Sequence, residues 1–325
     1  MRVTNKMLSN NFLRDMRTNL NNMNRLQGQM TSGKEIRKPS DDPFKASRIM
    51  QMYSDIDANK QHKSNIKDSI NWLDTTDTAL GQLGNVAGRI EELLVSAGNG
   101  TYSDNERKAI KDEINQKVGE LSQILNTSFD GKYIFGGTRT TIKPIDTKPN
   151  GANTDLIYNT EPANPLDPVA VTEQLNKIKD KRLVEVSQGV TMEYNITATQ
   201  VIDYGTGNLM GLLKDITDNL DAVPTDTNYA TKLKALTTTD LTGIKEVMTN
   251  ILKLRSEVGA KQNRMESAES RNTDLNFNMT EILSRTEDID ITEKTMEYAT
   301  MQTIYMASLQ TSAKVLQPSL LDYLR

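Results

Sequence analysis

The sequence predicts a mainly α chain with a β-rich insert: an elongated antiparallel helical bundle or coiled coil formed by the N- and C-terminal segments, with a small β domain in the middle. Three observations lead there. Apolar residues near both ends recur at alternating steps of four and three, the mark of a helix that buries a narrow seam. The centre crowds glycine, proline and period-two alternation, which belong to turns and strands. Aromatic residues make up only 5% of the chain, and Trp72 is the sole tryptophan, so helix seams are better supplied than a large enzyme-like core.

The first helix carries Phe12, Met16, Met23, Leu26 and Met30, with Asn19 at the remaining seam position. Methionine-rich seams pack adaptably and specify geometry weakly, and a lone short helix is marginal in water. This segment is therefore expected to stay loose until a partner helix covers it. Gly33 interrupts the pattern, and Lys38, Pro39 and Ser40 end it. Asp42 can then cap a helix whose first residue is Pro43. Leu73, Thr76, Leu80, Leu83, Ala87, Ile90 and Leu94 hold three-four steps up to Gly98 and Gly100, the strongest helix in the chain. Ser103 with Glu106 reads as a capping box, and Ile110, Ile114, Val118, Leu121 and Leu125 form a stripe running back antiparallel.

From Asp130 the character changes. Gly131, Gly136 and Gly137 surround Tyr133, Ile134 and Phe135, and Pro144, Pro149, Pro162, Pro165 and Pro168 follow. Val190, Met192, Tyr194 and Ile196 alternate with polar or β-branched neighbours, so residues 140–202 read as a β-rich outer domain. Helical period resumes with Leu212, Ile216 and Leu220, then with Ile244, Val247, Ile251, Leu254, Val258 and Met265. No proline lies between Thr225 and Pro318, which permits one long helical tract broken near Asp274 or Arg285. Its last seam runs Ala299, Met306, Leu309, Ala313 and Leu316. The expected domains are thus 1–40 with 286–325 as terminal helices, 41–139 with 203–285 as a helical core, and 140–202 as the insert.

Charge and composition exclude several functions. The net charge of −4 and pI near 5.4 do not supply the basic face that nucleic acid requires. Residues 1–40 carry eight Lys or Arg against two acids, and residues 285–325 carry four against six; such ends attract one another weakly, and salt screens them. No cysteine is present, which removes thiolate metal sites, disulfides and cysteine nucleophiles. The opening MRVTNKMLSN lacks the apolar core of a cleavable secretion signal, and no apolar run approaches a membrane span, so alone these facts suggest the cytoplasm and no membrane insertion. His62 is the only histidine, which rules out a His-Glu-x-x-His zinc site, and its polar neighbours place it on an exposed helix face. Asp41 with Asp42 reads as a helix start favoured by the helix dipole. Glu91 with Glu92, and Glu287, Asp288 and Asp290, read as solvated faces. Gly136 and Gly137 lack a following Lys-Ser/Thr pair and read as a tight turn. No catalytic residue, metal or cofactor is expected.

The stretch MTSGKEIRKPSDDPFKASR, from Met30 to Arg48, resembles the N-terminal signature of the flagellin superfamily, through Ser32, Gly33 and Lys34 and then Ser40, Asp41, Asp42 and Pro43. LNTSFDGKYIFGGTRT, from Leu125 to Thr140 and including Gly136 and Gly137, resembles the segment where that family's helices enter its β part. LRSEVGAKQNRMESAES, from Leu254 to Ser270, and the run from Thr286 to Arg325 resemble its C-terminal signature. Within the superfamily, VSQGVTMEYNITATQVI from Val186 to Ile202 and the ending PSLLDYLR look more like the junction branch than like filament subunits. Phe44 and Lys45, where filament subunits tend to carry small residues, lean the same way. Filament-forming flagellin is the alternative.

The resemblance implies a structural role in the bacterial flagellum, and export through its secretion channel without cleavage, in place of the cytoplasm. The implied partners are further copies of the chain in a helical or ring assembly, an adjacent hook-associated protein, flagellin, and an export chaperone that binds the C-terminal helix through Met306, Leu309 and Leu316. It also implies terminal helices that pair on assembly, using Phe12, Met16, Met23, Leu26 and Met30 against Ala299, Met306, Leu309, Ala313 and Leu316.

Overall fold

A computed structural model of the chain describes residues 5–98, 103–161, 163, 167–205, 207–223 and 227–315. In order, helices α1 (Asn5–Ser32), α2 (Pro43–Ala97) and α3 (Asp104–Leu125) come first. The hairpins β1 (Ser128–Phe129) with β2 (Lys132–Tyr133) and β3 (Ile145–Asn150) with β4 (Asn153–Tyr158) follow. Next are α4 (Pro168–Lys179), the hairpin β5 (Leu183–Ser187) with β6 (Val190–Glu193), α5 (Ala198–Ile202), and β7 (Asp203–Tyr204) with β8 (Gly207–Asn208). The chain returns through α6 (Leu209–Leu220), α7 (Tyr229–Ala235), a π-helical turn over Leu236–Asp240, α8 (Leu241–Glu287) and α9 (Ile291–Val315).

Local chemistry sets several of these boundaries. Asp42 Oδ1 accepts from the Phe44 and Lys45 amides at 3.1 and 3.0 Å, so α2 starts on a side-chain cap with proline at its first position. At α3 the Ser103 amide donates to the Glu106 carboxylate at 2.6 Å, and the Glu106 amide returns a bond to Ser103 Oγ at 3.4 Å. The Ser103 amide and the Ser103 hydroxyl, which donates to the same carboxylate at 2.8 Å, hold the Glu106 carboxyl below the usual glutamate range. A carboxyl lowered in the folded state adds stability above its ordinary pKa and loses it as pH falls through the lowered value. Ser103→Ala is expected to cost about 1 kcal/mol at neutral pH, and urea unfolding at pH 7 and pH 3 should show that penalty shrinking with acid.

The chain divides into two units, one made of residues up to Lys60 and from Asp274 onward, the other of residues 61–273. In the second unit a single core joins Leu73, Leu80, Leu83, Ile90 and Leu94 of α2 to Ile114, Val118, Leu121 and Leu125 of α3 and to Ile244, Ile251 and Val258 of α8. The insert expected at 140–202 does not bury a core of its own. Ile145, Leu156, Ile178, Val186 and Met192 are buried in that same cluster. Nor is the insert all strand and turn, because α4 sits inside it. Asp167 caps α4 by accepting from the Val169 and Ala170 amides, and Pro168 opens it; that proline is a helix start rather than a turn signal. The long tract expected after Thr225 runs unbroken through Asp274 in α8 and ends at Glu287.

A buried guanidinium ties the insert together. Arg139, 7% exposed, donates to the carbonyls of Glu161 at 2.5 Å, Lys143 at 3.3 Å and Asn159, and reaches Gln174 Oε1 at 3.5 Å. Burial pushes its pKa down, and the nearby Glu161 charge opposes that. Arg139→Met would strand buried carbonyls, at on the order of 3 kcal/mol. Its urea midpoint is expected to fall accordingly with the slope unchanged.

Candidate assembly interface

In the terminal unit α1 and α9 pack against each other. Lys34 bridges Asp288, and Leu26 shares a groove with Met296, Thr300 and Met301, so the two helices run antiparallel. On α1, Met16 and Leu26 are buried, and Phe12, Asn19, Met23 and Met30 are half-buried. These are the positions of the four-three seam. On α9 the less exposed face is Lys294, Tyr298, Met301, Tyr305, Ser308 and Ser312, also spaced by fours and threes.

That face is not the expected one. Ala299, Met306, Leu309 and Ala313 are exposed, Met306 at 51% and Leu309 at 44%, and Leu316 lies outside the described residues. The two stripes differ by one residue throughout, about 100° around the helix. Tyr298 and Tyr305 are half-buried on this face, and a tyrosine ring can cover apolar surface while its hydroxyl stays wet; a count of aliphatic residues selects the neighbouring stripe instead. Met306 and Leu309 are exposed, and α1 leaves Leu13 and Leu20 exposed.

The helix breaks at the base of this pair are bonded to one another. Gly33 takes φ +71°, a left-handed cap that ends α1, and its amide donates to the Gln29 carbonyl at 2.8 Å. Ser32 Oγ accepts from the Lys34 amide at 3.3 Å. The Glu35 amide then donates to the Glu287 carbonyl at 2.7 Å, and the Ile289 amide to the Gly33 carbonyl at 3.1 Å. Lys34 Nζ pairs with the Glu287 carboxylate and donates to Tyr53 Oη at 3.0 Å, while Tyr53 donates to Glu287 Oε2 at 2.6 Å. Hydrogen bonds to Glu287 and Tyr53 push the Lys34 pKa up. Glu287, expected on a solvated face, is only 6% exposed. Its partner Lys34 is distant in sequence, so no local pattern reveals the pair.

The remaining signature residues build the turn into α2. Asp41 Oδ2 accepts from the Arg37 and Lys38 amides at 3.2 and 3.1 Å, and Asp42 caps as described; Ser40 and Pro43 are exposed. Gly136 and Gly137 lie in the other unit. A side chain at Gly137, whose φ is +63°, would overlap the Lys177 and Ile178 carbonyls at the end of α4. The Thr138 amide donates to that same Lys177 carbonyl at 2.8 Å. This glycine lets α4 approach the turn. His62, expected exposed, is half-buried.

The family described as bacterial flagellin N-terminal helical region matches residues 3–140, and the one described as bacterial flagellin C-terminal helical region matches residues 241–324. A flagellin of Clostridium tyrobutyricum is 24% identical over 360 aligned residues, covering 92% of this chain and 94% of its own. Flagellar hook-associated protein 3 of Salmonella typhimurium is 24% identical over 317 residues, covering 96% of each. Among solved structures, the flagellar junction protein FlgL of Legionella pneumophila shares the fold, with a TM-score of 0.53 at 15% identity over 75% of this chain and 100% of that one.

Proposed function

We propose that this chain, which belongs to the flagellin superfamily, is a structural subunit joining hook to filament in the bacterial flagellum rather than a catalyst. The observation that carries this reading is the end-to-end correspondence with hook-associated protein 3, which leaves almost none of either chain unmatched. The geometry supports an assembling part. Two terminal helices share one seam and still expose Leu13, Leu20, Ile304, Met306 and Leu309, and apolar stripes of that kind are covered by other copies in an array.

In this reading the chain is exported through the flagellar channel and its terminal segments, 1–40 and 286–325, are loose in the monomer. They fold onto each other and onto neighbouring copies during assembly, so that binding supplies the energy of ordering. The exposed stripe of Ala299, Met306, Leu309 and Ala313 contacts other subunits, and before export the C-terminal helix offers a chaperone a face to hold in a groove. A hook-associated protein adjoins the subunit on one side and flagellin on the other.

The Clostridium flagellin, matched over nearly as much of the chain, favours a second reading as a filament subunit. Immunogold labelling of intact flagella separates the two. A narrow band at the distal end of the hook is the expected result, and labelling along the filament would select the second reading.

A further inference from the structure

We propose that a cleft in the unit of residues 61–273 receives an extended polypeptide segment of apolar and basic residues, which adds to β5 as a third strand. Every residue lining the cleft belongs to that unit, and the proposal stands independently of the junction reading. The cleft has a volume of about 770 Å³ and lies between α2, the β1–β2 hairpin and the start of β5. That size is in the range that holds a bound ligand.

Four features define what fits. First, the outer edge of β5 faces the cleft. The Tyr194 amide donates to the Arg182 carbonyl, and Leu183 is paired with Glu193 and Val184 with Met192. In an antiparallel pair the bonding alternates, so the amides and carbonyls of Leu183 and Glu185 point away from β6. Among the described residues the Glu185 carbonyl accepts from Asn65 Nδ2, at 3.5 Å, a bond long enough to exchange readily. An open strand edge of this kind is a template for another strand.

Second, the cleft wall is aromatic. Trp72 meets Phe129 and Tyr194 edge to face, with ring centroids at 6.2 and 5.8 Å, and the half-buried Phe129 offers apolar surface to alternate side chains. Third, two buried donors there lack an acceptor among the described residues, Trp72 Nε1 and Arg182 Nη1. Trp72 itself is only 5% exposed, and the Arg182 guanidinium lies 5.2 Å from its ring centre. Peptide carbonyls are acceptors of the kind these groups need. Fourth, the lining carries three carboxylates, Asp68, Asp130 and Glu185, against two cations, Lys132 and Arg182. A segment bearing lysine or arginine is therefore favoured over an acidic one.

Trp72 is the only tryptophan, so its emission reports on the cleft alone. The test titrates the full chain with the blocked hexapeptide acetyl-Lys-Val-Lys-Val-Lys-Val-amide, with the Glu-Val counterpart, and with the neutral sugar chitotriose. The expected result is a saturable change in Trp72 emission with the lysine peptide, at least tenfold weaker with the glutamate peptide. It should come with at least tenfold slower hydrogen exchange at the Leu183 and Glu185 amides. The variant Asp68→Asn with Asp130→Asn should weaken the lysine peptide about tenfold while leaving thermal unfolding unchanged. Absence of saturation, equal response to both peptides, or unprotected Leu183 and Glu185 amides would overturn the proposal. So would a response to chitotriose alone, which would assign the cleft to carbohydrate.

Discussion

Leu26→Asp in α1 is expected to abolish incorporation into flagella while leaving the unfolding of residues 61–273 unchanged. Leu26 is 4% exposed on the α1 seam, beside Met296, Thr300 and Met301 of α9. Lys294 on the facing stripe is already paired with Glu297 at 2.9 Å, and burying a carboxylate in this seam would cost on the order of 3–5 kcal/mol. A pairing of two helices with so few fully buried residues does not tolerate that loss. Leu26→Met conserves volume and is expected to cost under about 1.5 kcal/mol, so it should assemble normally. Immunogold labelling of flagella and the melting curve of the purified chain together read both halves of the prediction. Normal assembly of the aspartate variant would show that the seam is not used.

The second large effect belongs to Gly137→Val. Two penalties act together there. A β-branched residue is a poor fit to φ +63°, and its Cβ would overlap the Lys177 and Ile178 carbonyls. The loss should reach about 3 kcal/mol or more, through α4 and the Thr138 amide bonded to the same carbonyl. Gly151 separates the two causes. It lies in the same unit with a similar φ of +64°, yet a Cβ added there would meet nothing within 4 Å, so Gly151→Val carries the backbone penalty alone, about 1–2 kcal/mol. Urea unfolding of both valine variants measures the difference, which is the contribution of the close approach.

What can be read from the residues alone follows the range of the interactions involved. The α1 seam, the Asp42-Pro43 helix start, the Ser103-Glu106 box and the stripe from Ile110 to Leu125 are set within a few positions of chain, and each is visible as a spacing. The C-terminal stripe lies one residue away from its expected place because the half-buried face includes Tyr298 and Tyr305, and aliphatic counting passes over amphipathic rings. Helix α4 hides among prolines whose meaning depends on whether an Asp167 cap precedes them. Glu287 and Arg139 are beyond local reasoning. The first is buried by Lys34 and Tyr53 from the opposite end of the chain, and the second by carbonyls that only the folded insert brings together. The shared core explains why the insert does not stand apart: its inward residues, Ile145 and Val186 among them, pack on the helices that flank it.

The proposal that the ends clasp each other on assembly is tested most directly by amide hydrogen exchange across 5–32 and 291–315, compared between soluble chain and isolated flagella. Fast exchange in the soluble chain and protection of at least a hundredfold in the flagellum is the predicted result. Equal, strong protection in both would mean that α1 and α9 are already locked before any neighbour arrives, and would contradict the account.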